Sequence, residues 1–231
     1  NPKNVVNAGK VGATIKQNGD IKFIPYEKLF NPNNKVAIKE DVAYSYYANR
    51  DSLSYMPLYQ LENAETFLRT TLRHPEFCIG WKNIIDLKLT DEEEMIDTTN
   101  LSLADFFTLH FKKHQLNSFV SDLMNYNEIA NAQLNYLGIN DKATIINKGV
   151  CSTNDILQFI LEKKWVLQPN DKDLIIMFHE LVYCIENTNY YTSALLEIKG
   201  KNSSETAMAT TVGLPLGIAS KLILEEKINL I

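Results

Sequence analysis

The sequence predicts an α+β fold: a mixed, mostly antiparallel sheet covered by helices on one face, with a helical lobe inserted at 88–168. Three observations predict it. The first 87 residues alternate β-rich runs with turn residues, some eighty residues of helical periodicity follow, and β-rich runs return after Pro169. The expected division is one domain built from 1–87 and 169–231, with 88–168 between its halves.

Each element has its own signal. Lys10 to Gln17 and Asp20 to Tyr26 flank Asn18-Gly19, a pair that tolerates the positive φ angles of a tight hairpin turn. Val42 to Tyr47 is rich in residues that suit a pleated surface, so a strand there delivers Asn49-Arg50-Asp51 to a sheet end. Ala64 to Leu72 reads as a further strand, stopped at Arg73-His74-Pro75 by the proline. Phe77 to Leu87 spaces Trp81, Ile84 and Ile85 as a helix does. Asp91-Glu92-Glu93-Glu94 marks a turn or helix start, apolar stripes run through Leu103 to His114 and Leu116 to Leu137, and Ser152 or Thr153 can cap a helix reaching Trp165. Leu174 to Cys184 and Tyr190 to Lys199 are expected to resume the sheet across a turn at Glu186-Asn187-Thr188-Asn189. A long helix from Glu205 to Glu226 follows, capped by Ser203 or Ser204 and kinked or interrupted at Pro215.

A chain of 231 residues with 45% hydrophobic and 22% charged residues can bury a substantial core without disulfides or metals. A formal charge of -5 argues against a nucleic-acid partner. Cys78, Cys151 and Cys184 are too few and too scattered for a disulfide framework, which points to a reducing, cytoplasmic setting. No apolar run reaches the roughly 18 residues of a membrane span, so no membrane partner is expected. Asn1-Pro2-Lys3-Asn4 lacks the blocks of a signal peptide and reads as a chain cut within a fold.

Arg50 and Arg73 stand out because guanidinium groups at strand ends form paired hydrogen bonds to carboxylates or phosphates. The competing reading of Arg50-Asp51 is a surface ion pair. His110 and His114 stand four apart on a predicted helix, a spacing able to hold a metal, yet Phe111-Lys112-Lys113 between them supplies no carboxylate and adds positive charge, so no metal is expected. Gly213-Leu214-Pro215-Leu216-Gly217 lacks the G-x-G-x-x-G order of a nucleotide loop, and no cofactor-binding residues are expected in this chain.

Several stretches together carry a family resemblance. The run Glu205-Thr206-Ala207-Met208-Ala209-Thr210-Thr211-Val212-Gly213-Leu214-Pro215-Leu216-Gly217-Ile218-Ala219 is similar to a Thr-Ala-Met-Ala-Lys-Thr-Val-Gly-x-Pro-x-x-Ile-Ala motif, and Tyr47-Ala48-Asn49-Arg50-Asp51-Ser52 to Tyr-Pro-Asn-Arg-Asp-Ser. Arg69-Thr70-Thr71-Leu72-Arg73-His74-Pro75-Glu76-Phe77 resembles Arg-Gly-Thr-Leu-Arg-Tyr-x-Gly-Phe, Pro2-Lys3-Asn4-Val5-Val6 resembles part of Trp-Ser-Pro-Arg-Gly-Val-Leu, and Met177-Phe178-His179-Glu180 matches a Met-x-His-Glu strand. The family is saccharopine dehydrogenase, and the resemblance covers its non-nucleotide part.

The resemblance implies a substrate-binding and dimerisation domain of an oxidoreductase of lysine metabolism. The intact enzyme would interconvert saccharopine with glutamate and 2-aminoadipate 6-semialdehyde using NAD or NADP, bound by a Rossmann domain outside this chain. Carried over residue by residue, it implies Arg50, Arg73, Thr71, Asn49 and Lys3 as substrate ligands, with Lys3 at the family's arginine position. A solvated terminus is the other reading of Lys3, and a threonine bonded to backbone the other reading of Thr71. It further implies a homodimer, no catalytic residue in this part, and little activity for the part alone. Thr70 and Glu76 in place of glycines, His74 in place of tyrosine and Thr210 in place of a basic residue leave open a dehydrogenase for another amino-acid imine, or a non-catalytic module.

Overall fold

The computed structural model describes residues 2–39 and 42–228, arranged as two compact units, Asn1–Trp165 and Val166–Ile231. Asn1 and Asn229–Ile231, on which the reading of cut chain ends rests, lie outside the described residues.

The first unit opens with α1 (Pro2–Val6), then β1 (Ala13–Gln17) and β2 (Asp20–Ile24), a hairpin in which Gln17 faces Asp20. Asn18 and Gly19 both take positive φ, 54° and 84°, as the sequence predicts for a two-residue turn. After α2 (Tyr26–Leu29), the strands β3 (Lys35–Lys39), β4 (Val42–Ala48) and β5 (Thr70–Arg73) form an antiparallel sheet in the order β3-β4-β5. The strand expected over Ala64 to Leu72 is divided between two neighbours. Phe67 bridges Lys16 of β1, the Glu65 carbonyl accepts from Gly19, and only from Thr70 onward does the chain pair with β4.

Next come α3 (Phe77–Asp86), β6 (Met95–Asp97), α4 (Leu103–Lys113), α5 (Asn117–Tyr126), α6 (Glu128–Leu137), β7 (Val150–Ser152) and α7 (Thr153–Lys164). The acidic run resolves as a turn, because Asp91 Oδ1 accepts from the backbone N–H groups of Glu93 and Glu94. The apolar stripe over 116–137 breaks at Asn127, whose side chain accepts from Ala130 N and so starts a new helix. Ser152 caps α7 through a full capping box with Asp155.

These helices do not form a separate lobe. They share one core with the N-terminal third: α1 packs on α7, α3 on α6, and Val6, Leu29 and Trp81 join the same buried cluster as Phe106, Phe107 and Ile156. The short pair β6–β7 also places strands inside the stretch read as all helix.

The second unit holds β8 (Leu174–Ile185), β9 (Thr188–Lys199) and α8 (Ala207–Leu224). The two strands pair along their full length across Glu186-Asn187, both at positive φ, so the turn is two residues and not the four expected. Among the described residues β8 and β9 pair only with each other. The α+β class and the antiparallel pairing stand as expected, and the strands among the described residues divide into four small sheets and not one.

Thr206, and not Ser203 or Ser204, caps α8 by accepting from Ala209 N, while the Asp173 carboxylate takes the N–H groups of Ala207 and Met208. The helix continues through Pro215. By length and composition α8 is long and apolar enough to cross a membrane, with a mean hydropathy of 1.5, which corrects the expectation that no segment reaches that length. The threonines, Ser220 and Lys221 interrupt the apolar run without lowering the average below that of a span. Cys78 and Cys151 are buried free thiols of the first unit, and Cys184, on β8, is exposed.

Candidate substrate-binding site

The chain has three arginines, Arg50, Arg69 and Arg73, and all three fall on β4, β5 and their immediate ends. Among the described residues no carboxylate lies within ion-pairing distance of any of them. Three guanidinium groups without acidic partners, in a chain of net charge -5, leave donors available for an anionic ligand.

Local hydrogen bonding explains why Arg50 stands apart from the aspartate beside it. Arg50 sits at φ 54° directly after β4, its carbonyl accepting from Thr14 N of β1. Asp51 turns its carboxylate onto the backbone N–H groups of Leu53 and Ser54, starting the following 3₁₀ turn at 2.8 and 3.3 Å. The surface ion pair read from Arg50-Asp51 is therefore absent, because Asp51 is already engaged. Ser52, fully buried, ties the two strand ends together by accepting from Arg69 N at 3.0 Å while its own N–H bonds Thr14 O.

The strand register decides which arginines are neighbours. Ser45 faces Arg73, Tyr47 faces Thr71, Ala48 faces Thr70, and Asn49 N donates to Arg69 O. Arg50, five residues beyond Ser45, therefore lies about 16 Å along the sheet from Arg73 at 3.3 Å per residue. Arg50 and Arg73 occupy neighbouring strands, as expected, but do not converge on one carboxylate. Arg69 stands opposite Asn49, the residue before Arg50, and although it opens the Arg69–Phe77 motif it is not among the residues expected to bind substrate. The observable signal for it was alternation, since Arg69, Thr71 and Arg73 fall on one face of the strand.

Aromatic rings hold two of the guanidinium groups. The Arg69 guanidinium carbon lies 3.5 Å from the centre of the Tyr55 ring, with Tyr59 stacked beyond it. Arg73 lies over Phe77 at 5.4 Å and Tyr47 at 5.8 Å, and donates to the Tyr47 hydroxyl at 3.3 Å. Cation–π contact fixes the plane of a guanidinium while leaving its edge donors for a ligand. Phe77 also lines a cleft of about 670 Å³ with Trp81, Gln133, Trp165 and, at its rim, His74 and Glu76. Thr71 is half-buried on the same face, with no side-chain hydrogen bond among the described residues, so the backbone-bonded reading of this threonine is not what the fold shows.

The remaining expected residues are dispersed. Asn49 closes β4 next to Arg50, and Lys3 is exposed on α1. His179 and Glu180 lie on β8 of the other unit, where Glu180 accepts from the Tyr191 hydroxyl at 2.8 Å. Gly213 and Gly217 lie within α8 and not at a strand-to-helix turn, so they do not form a dinucleotide cradle.

The structure is thus an α+β domain that presents aromatic-braced arginines without acidic partners among the described residues. The chain belongs to the family described as Saccharopine dehydrogenase C-terminal domain, which matches residues 1–230. It is 26% identical over 256 residues to an alpha-aminoadipic semialdehyde synthase of Arabidopsis thaliana, covering 99% of this chain and 24% of that protein. It is 25% identical over 240 residues to the saccharopine dehydrogenase [NADP(+), L-glutamate-forming] of Saccharomyces cerevisiae, covering 98% and 53%. The solved apo saccharopine dehydrogenase (L-Glu forming) of S. cerevisiae shares the fold with a TM-score of 0.82 at 24% identity, covering 98% of this chain and 53% of that one. The chain thus spans about half the length of its yeast relative.

Proposed function

We propose that this chain is the substrate-binding part of a saccharopine dehydrogenase, an oxidoreductase that interconverts saccharopine with glutamate and 2-aminoadipate 6-semialdehyde in lysine metabolism. The single observation that carries this reading is the family match over residues 1–230. The nicotinamide cofactor, NAD or NADP, belongs to another part of the intact enzyme, since Gly213 and Gly217 do not supply the turn that holds a pyrophosphate. No step is therefore assigned to it here, and this chain's contribution is positional.

Glutamate brings two carboxylates and the semialdehyde a third, so saccharopine carries three along an extended molecule. The arginines are spaced to match. Arg69 and, next to its cross-strand neighbour Asn49, Arg50 stand at one end of the β4–β5 pairing to take one carboxylate, and Arg73, about 13 Å along β5 from Arg69, takes another, with Thr71 between the arginines of β5 and Asn49 opposite Arg69 donating hydrogen bonds. Lys3 is an outlying ligand candidate on α1. In the intact enzyme, Arg69→Ala or Arg73→Ala should lower kcat/KM for saccharopine by about 10- to 150-fold, the loss of one charge-assisted contact of about 1.5–3 kcal/mol. Unchanged kinetics in both variants would remove the assignment.

The second unit supports the homodimer. Leu181, Val182, Leu214 and Leu216 are all more than half exposed, and a second copy is the partner we assign to these faces, to be read as the mass in solution by light scattering. We read α8 as packing against protein, because its small residues permit close approach, and we place the protein in the cytoplasm on the ground of its three free cysteines.

A further inference from the structure

Away from the arginines, Glu94, His110 and His114 gather on the first unit. The loop before β6 delivers Glu94, while α4 presents His110 and His114 one turn apart on the same face, their ring centroids 4.5 Å apart. His114 Nε2 lies 2.6 Å from Glu94 Oε2. One candidate ligand atom from each of the three residues lies within 4.8 Å of the others.

His110 gives the cluster its direction. It is 2% exposed, and its Nε2 lies 2.8 Å from the Leu87 carbonyl, which can only accept, so Nε2 carries the proton. Nδ1 is then the lone-pair nitrogen, and it is buried with no hydrogen-bond partner. A histidine that donates one N–H to a backbone carbonyl and turns the other nitrogen into a site is the arrangement that orients metal-ligating imidazoles. Beside it a cavity of about 230 Å³, lined by Glu94, Ile96, Leu101, Phe106 and His110 among others, leaves room for a further ligand.

We propose that Glu94, His110 and His114 form a two-histidine, one-carboxylate site for a divalent cation of the zinc type. Imidazole nitrogen with a single carboxylate suits zinc better than magnesium or calcium, which prefer all-oxygen shells. Bonds of about 2.0–2.2 Å in tetrahedral geometry set ligand atoms roughly 3.4 Å apart, so the 2.6 Å contact between Glu94 Oε2 and His114 Nε2 must open to admit the ion while wider separations within the cluster close. The obstacle seen in the sequence, the positive charge of Lys112 and Lys113, has a local answer. Lys113 Nζ holds Glu94 Oε1 at 2.6 Å, but its side chain is 63% exposed and can swing into solvent as the cation takes its place. What spacing could not show is the carboxylate, which arrives from Glu94 and not from between the histidines.

The test is titration of the chelator-treated full chain with zinc by calorimetry, and with cobalt as a spectroscopic probe. The expected result is one saturable cation per chain and a visible ligand-field spectrum for cobalt. Glu94→Gln and His114→Asn should each weaken binding by at least the roughly 10- to 100-fold that loss of an outer-sphere partner costs. Lys113→Ala should tighten it by freeing the carboxylate, which a purely structural ion-pair cluster would not do. Thermal melts in metal-free buffer establish that the variants are folded. No saturable binding, or equal affinity in the parent, Glu94→Gln and His114→Asn, overturns the proposal.

Discussion

Both units are rich in large apolar side chains, and they dispose of them in opposite ways. In α7, Ile156, Leu157, Ile160 and Leu161 fall on one stripe and are all buried, whereas in α8 only Ala207 is buried among the described residues. The difference lies in arrangement as well as in surroundings. The apolar residues of α7 occupy one face, but Met208, Val212, Leu214, Leu216 and Ile218 of α8 spread around the helix, so one neighbour cannot cover them. A helix whose large apolar residues cover more than half of its circumference offers more surface than one neighbour takes. The first unit encloses a core in its own right, and the second leaves most of its large apolar side chains exposed.

The largest effect that could break this comparison is a core truncation. Phe107→Ala in the first unit should lower stability by about 3–5 kcal/mol in chemical denaturation, while Leu214→Ala, 61% exposed, should stay within about 0.5 kcal/mol for the dissociated chain. Equal losses would mean that the second unit is packed in solution. Next in size is the pair of arginine variants. Arg69 and Arg73 lie far enough apart along β5 that the double variant should lose catalytic efficiency by the product of the single losses, with the melting of the first unit unchanged. A smaller effect separates the helix caps. Ser152→Ala should cost about 1 kcal/mol, and Thr206→Ala less, because Asp173 also engages two of the first N–H groups of α8.

The smallest effect is a pH dependence confined to the first unit. Hydrogen bonds from the Ser152 side chain and backbone hold the Asp155 carboxyl below its ordinary range. A depressed carboxyl contributes stability that is present above its unfolded pKa near about 3.9 and is lost as pH falls through the folded value. Denaturation followed from pH 6 downward should therefore show a steeper loss in the parent than in Ser152→Ala.

Local signals were legible in the sequence wherever one residue decides the backbone. Asn18-Gly19 gave its turn, Pro75 ended β5, and Ser152 capped α7. What escaped was set by distant partners. Ala64 to Leu72 has strand composition throughout, but Phe67 pairs with β1 and Thr70 with β4, and composition does not say which neighbour takes which residue. The boundary of the helical lobe failed for the same reason, since Val6 and Trp81 join the core of α4 and α7 through contacts more than twenty residues away in the chain. Of the site, the arginines and their strands were legible and their spacing was not. Register sets Arg69 opposite Asn49 and leaves Arg73 opposite Ser45, far from Arg50, and no pattern short of the pairing itself encodes register.

The three thiols give the molecule an internal pair of reporters. Cys78 and Cys151 are sealed in the first unit, where burial pushes both up toward the unreactive protonated form, while Cys184 stands open on β8. A maleimide added to the native chain should alkylate one sulfur, and the other two only when the N-terminal body opens. The rate of the first adduct then reads out whatever covers the long hairpin, and the rate of the later two times the opening of the fold that carries the arginines.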